Sequence, residues 1–332
     1  MSNLYKFEPL LKQTLWGGNR LTAFKHLNMP MDGVGESWEV SGVEGSVSIV
    51  AEGPYKGKSL TELVLQLKGD LVGKKNFERF GSEFPLLVKF IDAHQDLSIQ
   101  VHPNDEVARR HGYSHGKTEM WYCLEGEKGE GTGDKWPILY CGLKQVITPE
   151  EYARMVANDT ICDALAQYEV HEGDMFFIPA GRIHSIGAGC LVAEIQQTSD
   201  VTYRIYDYLR RDRDGNLREL HTELALEAIN FLDITTDPKV NYTESRDAVV
   251  SLVECPFFNT NELKLTKPFR RDYTGIDSFR VYMCLSGQCC FLSPDGQGIF
   301  LHQSEALVVP ASMQEVTILP DEGAKLLESY VE

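Results

Sequence analysis

The chain has 332 residues, 42% of them hydrophobic and 24% charged, which is the composition of an ordinary globular protein with room for two domains. Its formal net charge of -17 argues against general affinity for nucleic acid, whose phosphates would be repelled. No segment approaches the roughly 20 apolar residues of a membrane-spanning helix, and the N-terminus lacks the apolar core of a signal peptide.

Short β-like runs broken by Gly, Pro, Asn and Asp dominate the sequence, a spacing typical of sandwiches and barrels. Helical periodicity is limited to a few segments, one with a Ser-x-x-Glu capping box and one with Pro149 in its first turn. The predicted strands are 36–40, 85–91, 97–101, 120–124, 175–178 and 191–196, and the predicted helices are 59–68, 105–111, 148–167 and 222–232.

Two segments of the first part of the chain recur in the same order near the C-terminus. Residues 120–127 align with 281–288, and residues 170–180 align with 301–311, where each copy has an apolar run ending in Pro-Ala. Such a repeat indicates duplicated β-barrel domains. We therefore predict a first domain over 1–235 and a smaller second domain over 240–332, with a junction near 233–246.

Two short segments carry candidate polar ligands. Because side chains alternate along a strand, Ser98, Gln100 and His102 would share one face, and a buried face of this kind needs polar partners such as a metal. Glu119 directly precedes the next apolar strand, with Lys117 on the same face. When each segment is taken alone, the simpler explanation is favoured: an exposed polar face for the first and an exposed salt pair at a strand end for the second.

A third segment is more specific. The run Gly173 to His184 contains a strand that ends in Pro-Ala-Gly and is soon followed by a histidine, which resembles the second sequence motif of the cupins. His102, Glu119 and His184 then form a ligand set of nitrogen and carboxylate donors suited to Zn²⁺, with Gln100 as a plausible fourth ligand. Three strong ligands with a weak or open position indicate a catalytic metal site rather than a structural one.

The repeat provides an internal control for this ligand set. In the second copy, Arg280 aligns with Glu119 and Glu315 aligns with His184. The second domain therefore keeps the barrel pattern but lacks the ligands, and we expect the first domain alone to carry the site.

With these motifs, the chain resembles the type I mannose-6-phosphate isomerases in their short bacterial form. The resemblance implies a mainly β fold of two cupin-type jelly-roll barrels with a few inserted or flanking helices. It also implies one Zn²⁺ per chain, held by Gln100, His102, Glu119 and His184. The matching segments are Leu15–Gly18, Gly35–Val40, Pro85–Asp92, Ser98–Asp105, Lys117–Glu119, Pro179–Gly187 and Glu194–Asp207.

The activity implied by the resemblance is the interconversion of mannose 6-phosphate and fructose 6-phosphate through an enediol intermediate. Arg204 corresponds to the essential arginine of the family, and Lys117 is a second candidate catalytic residue. Ser98, Asp200 and Arg210 are candidate substrate or phosphate contacts, although Arg210 stands where longer members have a lysine. The candidates for the proton-shuttling base are a zinc-bound water, Lys117, Asp200 and a histidine.

Three other functions are compatible with parts of the pattern. The same chemistry could act on another aldose phosphate, or the chain could be a non-catalytic sugar-binding cupin. An iron-dependent cupin dioxygenase is disfavoured because such enzymes usually have more histidines in the first motif. The eight cysteines form no CxxC pair, which predicts reduced thiols and a cytoplasmic location, and both a monomer and a homodimer are compatible with the sequence.

Overall fold

The computed structural model describes residues 3–27, 31–126, 132–133, 135–234 and 237–332. The strands are β1 Tyr5–Lys6, β2 Leu10–Gly18, β3 Val34–Val40, β4 Leu86–Ala93, β5 Ile99–Val101, β6 Glu119–Gly126, β7 Ile138–Leu143, β8 Leu165–Glu169, β9 Met175–Ile178, β10 His184–Ile186, β11 Cys190–Gln197, β12 Tyr203–Tyr206, β13 Val249–Glu254, β14 Asn259–Leu265, β15 Phe269–Asp272, β16 Arg280–Leu292, β17 Gly298–His302, β18 Ala306–Val309 and β19 Glu315–Tyr330. The helices are α1 Arg20–Phe24, α2 Leu60–Leu67, α3 Gly69–Val72, α4 Lys74–Phe80, α5 Asp105–Arg110, α6 Pro149–Ala157 and α7 Thr222–Ala228, with a 3-10 helix at Ile161–Ala164.

The described residues form three sheets. A six-stranded sheet has the order β2-β3-β4-β11-β6-β9, and a five-stranded sheet has the order β12-β5-β10-β7-β8. The third sheet has eight strands in the order β1-β18-β16-β19-β14-β13, with β15 paired to β19 and β17 paired to β16. Strands make up 41% of the structure and helices 16%, which confirms the predicted mainly β class. Among the described residues, no helix has both the length and the apolar character needed to cross a membrane.

The first two sheets face each other across an apolar core. Trp121 and Val192 of the six-stranded sheet pack in one cluster with Leu139 and Ile186 of the five-stranded sheet. Side chains alternate along β4, so that Val88 and Phe90 instead face a second cluster shared with the third sheet. The six-stranded sheet is thus covered on both faces, and its polar residues that face the first core need partners there.

The helices follow the local sequence signals at their starts more closely than at their ends. Helix α2 begins after Ser59 with the predicted capping box, and α6 begins after Thr148 with a second one. The prediction of a helix over 148–167 is wrong beyond Ala157, because Asp159 adopts a left-handed conformation with φ 56° and ends it. Residues 165–169 instead form β8, which pairs with β7. Helix α7 likewise ends at Ala228, four residues before the predicted end.

The internal repeat corresponds to equivalent strand pairs. Tyr122 of β6 pairs with Met175 of β9, and Met283 of β16 pairs with Ala306 of β18, which are the aligned positions of the two copies. The turn is equivalent as well, because the backbone of Gly173 and that of Ser304 both have positive φ and donate to the carbonyls of aligned cysteines. The alignment therefore describes a structural duplication; residue 127 of the first copy lies outside the described residues.

The two predicted domains do not correspond to two separate continuous segments of the chain. The predicted end of the first domain at residue 235 lies outside the described residues, so the division stays a prediction. Strand β1, at the start of the chain, pairs with β18 of the third sheet, with Tyr5 opposite Val308. Val88 and Met283 lie in one shared apolar cluster. The N-terminal strand thus belongs by hydrogen bonding to the C-terminal sheet.

The cap of α2 provides a stability test. Ser59 Oγ accepts a hydrogen bond from the backbone N–H of Glu62 at 3.2 Å, and Glu62 Oε2 accepts one from the backbone N–H of Ser59 at 2.8 Å. Replacing Ser59 with Ala is expected to lower the free energy of unfolding by about 1 kcal/mol, measured by denaturant titration. Ser114→Ala, at an exposed serine, is the control and should change it by less than about 0.5 kcal/mol. Equal effects in the two variants would contradict the capping role.

Candidate metal centre and the surrounding cavity

Three buried side chains from the two facing sheets meet between them. His184 opens β10 and His102 directly follows β5, both in the five-stranded sheet, whereas Glu119 opens β6 in the six-stranded sheet. The exposed fraction of each of the three is 1% or less. Each comes from a different segment, as the sequence predicts, and only the folded sheets bring the three together.

The ligand atoms lie close to one another. His102 Nε2 is 3.2 Å from His184 Nε2, and Glu119 lies 3.5 Å from the first ring and 3.4 Å from the second. Gln100 Nε2 lies 3.3 Å from His184 Nε2, because Gln100 is directly opposite His184 in the sheet. The predicted set of three strong ligands and one amide is therefore assembled at one point.

The backbone around these residues fixes their positions. Gly181 N–H donates to the carbonyl of His102 at 2.8 Å, and Lys117 N–H donates to the carbonyl of Pro103 at 3.0 Å. A side chain at Gly116 would place a Cβ 2.5 Å from the backbone of Asn104, so only glycine lets the two segments approach this closely. The loops after β5 and before β6 are thus tied to each other beside the ligands.

The protonation states match those of metal ligands. Burial lowers the pKa of His184 to about 3 and that of His102 well below its usual value, so both imidazoles are neutral. His184 Nδ1 donates to the carbonyl of Arg182 at 2.8 Å, which leaves Nε2 with a lone pair for a metal. Burial also raises the pKa of Glu119, against the opposing charge of Lys117, whose Nζ lies 3.1 Å from the carboxylate.

Several polar atoms of this cluster have no hydrogen-bond partner within the described residues. They include both carboxylate oxygens of Glu119 and Nδ1 of His102. Unsatisfied buried polar atoms are costly, and a divalent cation between neutral imidazoles and a carboxylate would satisfy the carboxylate. The residues present therefore fit a metal ion such as zinc by donor type, burial and protonation state.

A row of charged and aromatic residues crosses the six-stranded sheet opposite this centre. Trp38, Lys89, Glu194 and Trp121 are cross-strand neighbours on β3, β4, β11 and β6. Lys89 Nζ lies 2.9 Å from Glu194, and Trp121 Nε1 donates to the same carboxylate at 2.9 Å. Lys89 and Lys117 lower the pKa of Glu194 despite its burial, so this carboxylate stays charged.

A second row crosses the five-stranded sheet. Arg204 of β12 is directly opposite Gln100 of β5, which is directly opposite His184 of β10. Side chains in register on adjacent strands share a face, so Arg204 lies beside the metal-ligand set. Its Nε is buried without a hydrogen-bond partner in the described part of the chain, while Nη1 donates to the carbonyl of Glu219 at 2.8 Å.

A cavity of about 670 Å³ lies between the two rows, a size typical of a small-molecule site. Five residues predicted from the sequence line it: Ser98, Gln100, Lys117, Asp200 and Arg204. Ser98 is buried with Oγ 3.4 Å from Gln100 Oε1, whereas Asp200 is exposed.

Arg210 has a different position from the other predicted residues. It does not belong to the described cavity wall. Its guanidinium donates to the carbonyl of Asp96 and lies 3.6 Å from the carboxylate of Asp207. Its predicted role as a phosphate contact therefore has no support from its place in the structure.

Other wall residues were not predicted from the sequence. Arg213 and Arg218 lie in the wall, on the loop after β12, and Lys89, Glu36 and Glu194 lie on the opposite sheet. The strand alternation of β4 and β11, in which a charged residue interrupts an apolar run, was a usable signal for Lys89 and Glu194. The polar loop 211–219 carried no comparable signal for its arginines.

The second copy of the repeat contains no equivalent set. Arg280, at the position of Glu119, is buried between Tyr330 and Tyr273, with its guanidinium carbon 3.9 and 5.1 Å from the ring centres. Glu315, at the position of His184, pairs with Arg270 on the surface. Among the described residues, the only cluster of metal-ligand type is that of His102, Glu119 and His184.

Two facing β-sheets that bury a His, Glu, His set define a cupin-type protein with a candidate metal centre. A family model for the catalytic domain of type I phosphomannose isomerases matches residues 4–133. Mannose-6-phosphate isomerase ManA of Bacillus subtilis is 37% identical over 273 residues, which are 79% of this chain and 82% of that protein. The chain therefore belongs to the type I phosphomannose isomerase family and is an enzyme of the isomerase class.

The structural likeness extends over the whole chain. The crystal structure of the mannose 6-phosphate isomerase from Bacillus subtilis has a TM-score of 0.86 at 28% identity, with all of both chains covered. A zinc-bound mannose 6-phosphate isomerase has a TM-score of 0.76 at 15% identity, over 99% of both chains, which is a likeness of fold. The predicted family is thus confirmed.

Proposed function

We propose that this chain is a zinc-dependent aldose–ketose isomerase that interconverts mannose 6-phosphate and fructose 6-phosphate through an enediol intermediate. The observation that carries the proposal is the buried ligand set of His102, Glu119 and His184, which lies beside Arg204 at a polar cavity large enough for a sugar phosphate. The names of the relatives support this substrate.

One zinc ion per chain would be held by His102, Glu119 and His184, with Gln100 as the fourth ligand. Neutral imidazoles, a carboxylate and an amide oxygen are donors that zinc accepts. A structure of the same fold is described as zinc-bound, which supports this choice of metal. When bound, zinc supplies Lewis-acid polarisation of the sugar oxygens.

The surrounding side chains would supply the remaining steps. Isomerisation moves a proton between C1 and C2 of the sugar, and negative charge develops on the oxygen. Arg204 would stabilise that charge: its guanidinium is already held by a hydrogen bond to the carbonyl of Glu219, and preorganised donors contribute strongly to catalysis. Four candidates remain for the base that moves the proton: Lys117, Asp200, a bound water and a histidine. Lys117 and Asp200 both line the cavity.

Removal of the metal provides the direct test. Treatment with a chelator is expected to abolish mannose 6-phosphate isomerase activity, and one equivalent of zinc should restore it. The measurement is a coupled assay for fructose 6-phosphate, combined with metal analysis of the same samples. Full activity in metal-free protein would contradict a zinc-dependent reaction. Activity toward another aldose phosphate in place of mannose 6-phosphate would favour the second candidate substrate.

We also propose that the protein acts in the cytoplasm and has a sugar phosphate as its small-molecule partner. All eight cysteines are free thiols, and burial raises the pKa of each of them, as is usual for structural cysteines of reducing compartments. The net charge of -17 supports the prediction that nucleic acid is not a partner.

A further inference from the structure

The positive charges near the metal centre are already paired. Lys89 Nζ lies 2.9 Å from Glu194, and Lys117 Nζ lies 3.1 Å from Glu119. Both lysines are almost fully buried. Each lysine thus already has a carboxylate partner among the described residues.

The other end of the cavity has cations with unused donors. The side chain of Arg218 is 23% exposed, and its Nη1 donates to Asp207 at 3.0 Å. Within the described residues, Nε and Nη2 of Arg218 have no partner, and Arg213 has no ion pair or hydrogen bond from its side chain. Asp207 is buried and does not belong to the described cavity wall, whereas Arg218 lines the cavity.

The loop that carries these arginines has a defined shape. The backbones of Arg211 and Leu217 form an isolated antiparallel β-bridge. Asp212 Oδ1 accepts hydrogen bonds at 2.9 Å from the backbone N–H groups of Asp214 and Asn216. Arg218 N–H donates to the carbonyl of residue 210 at 3.2 Å. The turn is thus fixed at its base, and the carboxylate of Asp212 is engaged by its own loop.

Arg218 also lies near Arg204. After burial, the charge of Arg218 is the largest cause that lowers the pKa of Arg204. Two guanidinium groups that repel each other in one wall are stabilised by an anion placed between them. Asp200 and Asp214 are in the same wall, but both are exposed, where water and salt screen their charge.

We propose that Arg218, assisted by Arg213, binds the phosphate group of the sugar phosphate substrate. This inference rests on the proposed function, whose substrate carries the phosphate. A guanidinium offers two parallel N–H donors that match two phosphate oxygens, which suits the free edge of Arg218. Arg210, by contrast, donates to the carbonyl of Asp96 and does not belong to the described cavity wall, so the geometry favours Arg218 over Arg210.

The test uses inorganic phosphate and the zinc-loaded full-length protein. Arg218→Met is expected to weaken phosphate binding about 10- to 100-fold in calorimetry. It should raise KM for mannose 6-phosphate more than it lowers kcat. Arg211→Met, on the exposed side of the same loop, is the matched control and should bind phosphate as the wild type does.

Two further variants separate the possible outcomes. Arg218→Lys keeps a positive charge near Asp207 but lacks the two parallel N–H donors of a guanidinium, so it should weaken phosphate binding several-fold. This variant provides the test if Arg218→Met does not fold. Wild-type phosphate affinity in both Arg218 variants, or a loss confined to Arg210→Met, would overturn the inference. A third outcome separates the two proposals. If the Arg218 variants lose phosphate binding but the wild-type protein has no isomerase activity, the anion site is supported and the proposed function is contradicted.

Discussion

His184→Ala should reduce bound zinc from about one ion per chain to a small fraction and lower isomerase kcat/KM at least about 100-fold. The physical reason is the closeness of the set: His184 Nε2 lies 3.2 Å from His102 and 3.4 Å from Glu119, so each ligand completes the site for the other two. Loss of an outer hydrogen-bond partner of a metal ligand alone typically costs 10- to 100-fold, and loss of a ligand should cost no less.

The readouts for this variant are metal analysis and the coupled assay on the same preparation. His171→Ala is the control, because His171 is exposed in the same half of the chain and contacts Asp174 rather than the centre. Stoichiometric zinc with an unchanged rate in His184→Ala would show that the site is assigned to the wrong residues. His102→Ala and Glu119→Ala should behave as His184→Ala does.

Arg204→Met should give a different pattern, with zinc retained and turnover lowered about 10²- to 10³-fold. Arg204 is in register with Gln100 across the sheet but is not part of the His, Glu, His set, so its loss leaves the ligands in place. Removal of one preorganised donor from a site of developing negative charge has an effect of this size. The experiment measures kcat, KM and metal content together.

Arg109→Met is the control for this prediction, since Arg109 is a largely exposed residue of α5 that does not line the cavity. Normal turnover in Arg204→Met would remove Arg204 from the mechanism. A loss of zinc in the same variant would instead indicate that Arg204 supports the ligand set.

Local sequence rules predicted the parts of the fold that depend on neighbouring residues. The Ser59 capping box marked the start of α2, and residues 175–178 were predicted as the strand that forms β9. The end of α6 could not be predicted in this way, because the competing state of residues 165–169 depends on pairing with β7, far along the chain. The place of β1 in the third sheet depends on β18 for the same reason.

The candidate site shows the same division. His102, Glu119 and His184 could be found because strand alternation and the Pro-Ala-Gly turn give each residue a local signature, and the repeat shows which residues the fold itself does not require. Arg210 and Arg218 have no such signature, since both lie in a polar loop. Which of the two enters the cavity depends on the contacts of Asp207 and Asp96, and these form only in the folded chain.

The pairing of β1 with β18 has a consequence for biosynthesis. Tyr5 is synthesised long before its strand partner Val308, because most of the described chain separates the two. During that interval the first strand has no sheet to join, and the C-terminal sheet cannot be completed by a fragment that starts at the junction. Such a fragment would leave β18 as an open edge, a known site of aggregation. The late pairing of β1 with β18 thus makes the two halves of the described chain interdependent in assembly.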